Sequence, residues 1–275
     1  MLQVPSPLVS AKWLRENRSA QNLVTLDGSI PKVTGGLGEV NMLQIPRTRF
    51  FDIKRKFSNV DDPFPNAVPS EEQFTKNAQA LGINKDSAIV VYDEQGIYSS
   101  ARVWYLFKAF GHDNVAVLDG GLPEWVDKGF PTETKISRQV EVGDFEAKYS
   151  SSYFNFFENI KDISSDDSCL IMDARSSDRF NCEVPEPRKD LRGGNIPNSV
   201  SLPYSSLMNG YRLKQEGELK KAFNKLVSNQ KKLVFSCGSG ITACVLALAA
   251  ELIGEKECSV YDGSWTEYGS LTTRE

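Results

Sequence analysis

The strongest constraint on the fold of this chain is an internal repeat of domain size. In each copy an apolar run ends at a polar residue, Asp93 in the first copy and Cys237 in the second. A helical pattern follows, and a second apolar run then ends at Asp119 or at Asp262. The offset between the copies is 144 residues at the first pair and 143 at the second. A period of this length predicts a duplicated domain and not a solenoid of short repeats.

Each copy alternates short β-branched or apolar runs with longer helical patterns. The predicted strands are Leu23–Leu26, Ala88–Tyr92, Val115–Leu118, Cys169–Met172, Lys232–Ser236 and Cys258–Tyr261. The predicted helices are Ser10–Asn17, Ser70–Leu81, Ser100–Phe110, Ser152–Ile163, Glu218–Ser228 and Thr242–Ile253. Strands separated by helices of crossover length are typical of parallel sheets. We therefore predict an α/β fold of two tandem domains, each a mainly parallel sheet flanked by helices.

A polar stretch without periodicity separates the two copies and predicts the linker between them. The predicted boundaries are residues 1–134 for the N-terminal domain, 135–147 for the linker and 148–275 for the C-terminal domain. A length of 275 residues fits two domains of ordinary size. The alternative, a single large sheet, accounts less well for the repeat.

Charge and hydropathy argue against several classes of function. The net charge of −4 gives no electrostatic case for binding nucleic acid or an anionic membrane. No apolar run reaches the roughly 18 residues of a membrane helix. The N-terminus has the pattern of neither a secretory signal nor an organelle leader. We expect a monomer in the cytoplasm, with the mitochondrion as the alternative address.

The cysteine and histidine content argues against disulfides and metal sites. Five cysteines are present, an odd number, and no two have Cys-x-x-Cys spacing, which favours free thiols in a reducing compartment. The single histidine, His112, follows a predicted helix end and fits a structural cap. Clustered Cys and His ligands, a Gly-x-Gly-x-x-Gly motif and a Walker loop are all missing from the sequence. The sequence predicts neither a metal nor another cofactor.

Cys237 is the one cysteine whose surroundings predict chemistry. It ends a buried-strand pattern and precedes a glycine-rich turn that opens a helix, which is where open α/β sheets bind ligands. The glycines let the backbone N–H groups turn inward, and the helix dipole adds positive potential, so a thiolate or a persulfide anion is favoured there. The predicted cradle consists of Gly238, Ser239, Gly240, Ile241 and Thr242, with the Ser239 and Thr242 hydroxyls as additional donors. The other four cysteines are predicted to be structural.

Two other cysteine chemistries fit the sequence less well. A phosphatase of the Cys-x5-Arg type needs an arginine six residues after the nucleophile to bind phosphate, and Ala243 occupies that position. A Cys–His hydrolase needs a histidine base, and His112 lies at a helix end in the first copy. A short loop without either partner suits the transfer of a sulfur atom.

The segments Cys237–Ala243 and Tyr261–Glu267 resemble the tandem rhodanese proteins and, within them, the 3-mercaptopyruvate sulfurtransferase branch. In the first copy Arg49–Ile53, Ala101–Trp104 and Leu118–Trp125 are similar to landmarks of the same family. The likeness covers nearly the whole chain. It implies two rhodanese-like domains, the second of them catalytic.

The resemblance also implies a substrate. Thiosulfate-preferring relatives carry charged residues just after the cysteine, whereas the loop here is neutral, as in the mercaptopyruvate branch. Arg179 and Arg188 match the arginine pair of that branch, and two guanidinium groups suit the carboxylate and keto oxygens of an α-keto acid. The implied reaction moves sulfur from 3-mercaptopyruvate through a Cys237 persulfide to an acceptor thiol such as thioredoxin, or to cyanide, and releases pyruvate.

The first copy is predicted to be inactive, because Asp93 stands in the place of Cys237 and an acid cannot carry sulfur. This copy is expected to form a wall of the cleft, with Arg102 either in that wall or ion-paired on its own helix. Many relatives carry a histidine where this chain has Gln44 and Asn195. A relay proposed for the family, from a first-copy histidine to the loop serine, therefore lacks its histidine here.

Two alternatives to the mercaptopyruvate enzyme remain open from the sequence. One is a thiosulfate sulfurtransferase that uses the same cysteine. The other is a non-catalytic rhodanese-like module for binding or redox sensing, in which Cys237 only reacts with oxidants.

Overall fold

Two five-stranded parallel sheets, one from each half of the chain, organise the computed structural model, which describes residues 1–33, 42–228 and 232–273. The strands of the first half are β1 (Leu8–Val9), β2 (Leu23–Asp27), β3 (Leu43–Gln44), β4 (Arg49–Phe50), β5 (Ala88–Tyr92), β6 (Val115–Leu118) and β7 (Glu133–Thr134). Its helices are α1 (Ala11–Asn17), α2 (Glu71–Ala80), α3 (Ser100–Ala109) and α4 (Gly121–Asp127). The sheet order is β1-β6-β5-β2-β4, while β3 and β7 form a separate antiparallel pair.

The second half repeats this arrangement. Its strands are β8 (Phe154–Asn155), β9 (Cys169–Asp173), β10 (Ser199–Ser201), β11 (Met208–Asn209), β12 (Arg212–Leu213), β13 (Lys232–Ser236) and β14 (Cys258–Tyr261). Its helices are α5 (Phe157–Ser165), α6 (Ser177–Phe180), α7 (Glu216–Asn224), α8 (Ala243–Ile253) and α9 (Ser264–Leu271), with one 3₁₀ turn at Tyr204–Leu207. The order β8-β14-β13-β9-β10 matches that of the first sheet strand for strand. The predicted α/β fold of two parallel sheets is confirmed.

All six predicted strands are present, and five of the six predicted helices begin and end within four residues of their expected bounds. The prediction of a helix from Ser152 was wrong at its start, because Phe154–Asn155 pairs with β14 as an edge strand and α5 begins only at Phe157. Residues 135–150, which include the predicted linker, contain neither helix nor strand. Phe145 from this segment is nevertheless buried in the core. The exact domain boundaries stay a prediction.

One hydrophobic core is shared by the two halves. Helices α3 and α8 pack against each other between the sheets. Helix α8 is apolar on nearly every side, and residues 243–250 are all buried, which is expected of a helix enclosed by protein on all faces. Two smaller clusters cover the outer faces of the sheets. The carboxyl ends of β5 and β13, where Asp93 and Cys237 follow, therefore lie close to the junction of the halves.

Candidate active site

Cys237 follows the last residue of β13 and lies at the base of a cavity of about 230 Å³. The residue is only 2% exposed and belongs to the hydrophobic core, and it also lines the cavity. Both halves contribute to the walls. The first half provides Lys32, Val33 and Tyr98, and the second provides Ala174, Arg175, Ser176, Arg179, Arg188, Tyr204, Ser205, Gly238, Ser239, Ile241 and Thr242.

The loop after Cys237 turns at Gly240, whose φ of 73° lies in the left-handed region. A Cβ there would come within 2.5 Å of the Asp262 carbonyl oxygen, so only glycine fits this turn. The hydroxyl of Ser264 accepts hydrogen bonds from the backbone N–H groups of Cys237 at 3.1 Å and Gly240 at 3.2 Å. It donates to the Tyr261 carbonyl at 2.8 Å. Sequence reasoning missed Ser264, although the repeat aligns it with Gly121 and both residues have positive φ angles, 51° and 54°.

The first copy shows what the loop geometry binds. The Asp93 carboxylate accepts hydrogen bonds from the backbone N–H groups of Tyr98, Ser99 and Ser100 at 2.8–3.0 Å, and from that of Gln95 at 2.8 Å. Four amides therefore converge on one anion and form a backbone nest in the first copy. The first copy contains an anion site that is filled by its own side chain.

In the second copy the amides at two equivalent positions have a different environment. Ser239 and Thr242 correspond to Gln95 and Tyr98 when Cys237 is aligned with Asp93. Within the described residues, their backbone N–H groups donate to no protein acceptor, and both residues line the cavity beside Cys237. The arrangement can stabilise a negative charge on a sulfur atom at position 237, as the sequence predicts.

The two predicted substrate-binding arginines lie over the start of this loop. A Cβ built on Gly238 would lie 3.3 Å from Arg179 Nη2 and 3.8 Å from Arg188 Nη1, so both guanidinium groups approach the residue next to Cys237. Arg188 Nη2 also donates to Ser239 Oγ at 3.1 Å. Burial lowers the pKa of Arg188, while the Cys237 sulfur opposes that shift. The cavity is therefore basic on a chain whose net charge is −4.

A buried ion-pair network, which sequence reasoning missed, holds Arg179 in place. Glu186 Oε2 accepts from Arg179 Nη2 at 2.6 Å, and Glu186 Oε1 accepts from Arg175 Nη1 at 2.7 Å. Arg175 also pairs with Asp173 at the end of β9 and stacks on the Trp265 ring at 4.9 Å. The charged groups of Arg175 and Glu186 are thus paired, as buried charges must be. In the first copy Ser29 occupies the equivalent position, two residues after the strand that ends at Asp27, and gives no sign of this role.

Residues of the first half also contact the loop that follows Cys237. Arg102 is completely buried and pairs with Asp262 at 2.7 Å, so its partner lies in the opposite half and not on its own helix. Arg102 also donates to the carbonyls of Gly240 at 3.2 Å and Asn66 at 2.8 Å. Tyr98 faces the cavity, and burial raises its pKa to about 12, with the Cys237 sulfur adding to the shift. The first copy forms a wall of the cavity, as predicted.

Two classes of site are missing from the part of the chain that the structure describes. No group of three or more His, Cys, Asp or Glu side chains there could hold a metal ion. None of the described helices is both long enough and apolar enough to cross a membrane. All five cysteines are free, in agreement with the sequence.

The fold and the site together define a class of protein: a duplicated α/β protein in which one loop of two binds its own carboxylate and the other presents a cysteine to a basic cavity. Comparison with known proteins identifies the class. The family model for the rhodanese-like domain matches residues 38–128 and again residues 157–271. The chain belongs to the rhodanese family and is a sulfurtransferase of the branch that contains mercaptopyruvate and thiosulfate sulfurtransferases.

Individual relatives cover nearly the whole chain. The 3-mercaptopyruvate sulfurtransferase of Mus musculus is 38% identical over 95% of this chain and 91% of its own length. The thiosulfate sulfurtransferase of Gallus gallus is 35% identical over 95% of this chain and 92% of its own length. The crystal structure of a 3-mercaptopyruvate sulfotransferase from Escherichia coli superposes with a TM-score of 0.84 at 31% identity, covering 94% of this chain and 99% of that one.

Proposed function

We propose that this sulfurtransferase takes its sulfur from 3-mercaptopyruvate and carries it as a persulfide on Cys237. The observation that supports this donor is the pair of guanidinium groups, Arg179 and Arg188, above a neutral loop that begins at the cysteine. Two forked cations match the adjacent carboxylate and keto oxygens of an α-keto acid. The binding roles of these residues and of the loop Gly238–Thr242 are part of the proposal.

The first half-reaction forms the persulfide. The Cys237 thiolate attacks the sulfur of 3-mercaptopyruvate, an S–S bond forms, and the C–S bond breaks with its electron pair on carbon, so that pyruvate leaves as the enolate. The proton of the substrate thiol passes to that enolate, directly or through water. The products are pyruvate and a persulfide anion, whose outer sulfur the loop amides and the Ser239 and Thr242 hydroxyls stabilise. An activated thiolate needs no external base in this scheme.

The second half-reaction returns the cysteine. The thiolate of an acceptor, for which we propose thioredoxin, attacks the outer sulfur and releases the Cys237 thiolate. Cyanide can replace the thiol in an assay. Five free cysteines suit a reducing compartment, the cytoplasm or the mitochondrion, in which such an acceptor is kept reduced. We propose that the monomer performs both half-reactions.

Removing either arginine tests the proposed donor site. Arg179→Ala and Arg188→Ala should each lower kcat/KM for 3-mercaptopyruvate about 10- to 100-fold, the range expected for losing a charge-assisted hydrogen bond. Lys189→Ala removes an exposed positive charge next to Arg188 and serves as the matched control. Pyruvate release measures the rate. Wild-type activity in both arginine variants would contradict the proposed donor site.

Thiosulfate is the second candidate donor, favoured by the 35% identity to the Gallus gallus thiosulfate sulfurtransferase. The same protein is assayed with thiosulfate and cyanide, and thiocyanate is measured. A higher kcat/KM for thiosulfate than for 3-mercaptopyruvate would assign the chain to that reaction. Turnover with neither donor would favour a binding or redox-sensing module.

A further inference from the structure

Lys54 and Asn66 lie between β4 and α2 in the first half and form a hydrogen-bonded line to the cysteine loop of the second half. Lys54 Nζ donates to Asn66 Oδ1 at 2.7 Å. Asn66 Nδ2 donates to Ser239 Oγ at 3.0 Å and to the Ser239 carbonyl oxygen at 2.9 Å. The line therefore joins the inactive half to a residue two positions after Cys237.

The groups at the two ends of the line fix the direction of the Asn66 amide. An ammonium group only donates, so the amide oxygen must face Lys54. A backbone carbonyl only accepts, so the amide nitrogen must face Ser239. Asn66 is buried and adopts a φ of 67°, a conformation that asparagine tolerates better than most residues. Arg102, which donates to the Asn66 carbonyl, holds the backbone there.

The Ser239 hydroxyl has only one direction left for its proton. Its oxygen accepts from Asn66 Nδ2 and from Arg188 Nη2, which uses both lone pairs. Across the described ranges, this hydroxyl donates to no protein atom. Ser239 lines the same cavity as Cys237. The hydroxyl proton is therefore available to a group that is bound in the cavity.

We propose that Lys54 and Asn66 are positioning residues that hold Ser239 as a one-way hydrogen-bond donor to the sulfur anion at Cys237. The inference rests on the proposed persulfide chemistry and specifies how the loop serine takes part in it. Ser239 does not act as a base, because both groups bonded to its oxygen are donors and neither can take its proton. It stabilises the charge that builds up on sulfur and transfers no proton.

The charges near Ser239 favour a role for Lys54 and Asn66 in the reaction over a role in stabilising the fold. Lys54 is exposed as a residue, but the partial burial of its ammonium group against Asn66 and the nearby charge of Arg188 both lower its pKa. Two like charges are thus held close to one serine, at a cost that an anion in the cavity would offset.

Reversing the polarity of the line tests the proposal. In Lys54→Glu the carboxylate faces the Asn66 amide oxygen, and two groups that only accept repel each other, so the amide no longer keeps the position in which its nitrogen donates to Ser239. Ser239 then loses the Asn66 donor that keeps its hydroxyl proton directed at sulfur. We expect kcat for pyruvate release to fall about 10- to 100-fold with little change in KM, in line with the loss of one preorganised donor. Lys54→Arg keeps a donor and should keep most of the activity.

Lys56→Glu is the matched control, because it makes the same change of charge at an exposed residue two positions away. It reports any long-range effect of charge on an anionic substrate. Lys54→Met removes the donor without adding an acceptor and should give an intermediate loss. If Lys54→Glu does not fold, Lys54→Met replaces it in the double-mutant cycle with Ser239→Ala.

A double-mutant cycle separates positioning from a general effect on structure. In a Ser239→Ala background, Lys54→Glu should cause no further loss, because no hydroxyl remains to be turned. An equal loss in both backgrounds, or wild-type activity of Lys54→Glu, would overturn the inference while leaving the proposed function intact. A wild-type protein that releases no pyruvate from 3-mercaptopyruvate would instead contradict the proposed function, and the inference with it.

Discussion

At the scale of single residues, the two copies of this chain differ most consequentially at one position. Asp93 and Cys237 follow equivalent strands, and each precedes a loop that turns at a glycine of positive φ, Gly96 or Gly240. The Asp93 carboxylate uses the loop amides itself. Beside Cys237, two of the equivalent amides, those of Ser239 and Thr242, donate to no protein acceptor within the described residues, and both residues line the cavity. The same backbone is thus a closed anion site in one copy and a candidate persulfide site in the other.

The only histidine provides a prediction about stability and pH. Burial lowers the pKa of His112 below 6.5, and its Nε2 lies 2.9 Å from the Ser87 carbonyl. Below about pH 6.5 the unfolded chain binds a proton on this ring that the folded chain does not, so the free energy of unfolding falls as pH drops. His112→Gln should flatten this dependence between about pH 7 and 5.5, as measured by urea denaturation. An unchanged pH dependence would show that carboxyl groups cause it instead.

At the scale of elements, apolar runs predicted the central strands well, because β5 and β13 are buried on both faces and read as continuous apolar sequence. Edge strands of two residues, such as β1 and β8, carry no pattern, so they were missed. The start of α5 was misplaced for the same reason, since a short apolar run fits a strand or a helix equally.

In the candidate site, too, the sequence predicted some residues and missed others. The loop after Cys237 could be predicted from the sequence, because its glycine-rich turn and the helix that follows lie in one continuous segment. Asn66, Arg102 and Ser264 reach the loop only through tertiary contacts, two of them across the halves, over sequence separations of 24 to 173 residues. No pattern within one segment determines these contacts, and the sequence left Arg102 open between the cleft wall and an ion pair on its own helix.

Gly240 gives a prediction at this scale. Gly240→Ala forces a Cβ against the Asp262 carbonyl and a left-handed φ on alanine, so it should lower both stability and turnover. We expect a loss of about 2 kcal/mol or more in the free energy of unfolding, on the scale of a strained backbone position. Gly217→Ala in α7 is the control, because a Cβ there meets nothing within 4 Å, and it should stabilise the chain by about 0.5–1 kcal/mol. Equal effects of the two variants on stability would contradict the geometry described for the loop.

At the scale of the whole molecule, the two halves are tied by a reciprocal pair of aspartates. Asp262 accepts from Arg102 and from the Val68 N–H of the first half. Asp119, its equivalent, accepts from Arg212 and from the Leu213 N–H of the second half. In each copy, the carboxylate that directly follows β6 or β14 therefore binds the other half. The shared core between α3 and α8 completes the junction.

The buried member of these pairs should dominate the stability of the junction. Arg102→Met leaves Asp262 without its ion-pair partner and should lower the free energy of unfolding by about 3–5 kcal/mol, the range for breaking a buried pair from one side. Lys108→Met, on the same helix, removes two more exposed ion pairs, with Asp113 and with Glu251 of the second half, and should cost about 1 kcal/mol or less. Denaturant unfolding measures both. A loss from Arg102→Met no larger than that from Lys108→Met would mean that the junction does not depend on this pair.

The most direct test of the assignment of Cys237 as the sulfur carrier is the mass of the intact protein after incubation with the sulfur donor. Wild-type protein incubated with 3-mercaptopyruvate and no acceptor should gain one sulfur, about 32 Da, and peptide mapping should place it on Cys237. Cys182→Ser, which removes the exposed thiol, should load as the wild type does, and Cys237→Ser should not load at all. A sulfur gained by Cys237→Ser, or mapped to another cysteine, would contradict the assignment of Cys237 as the sulfur carrier.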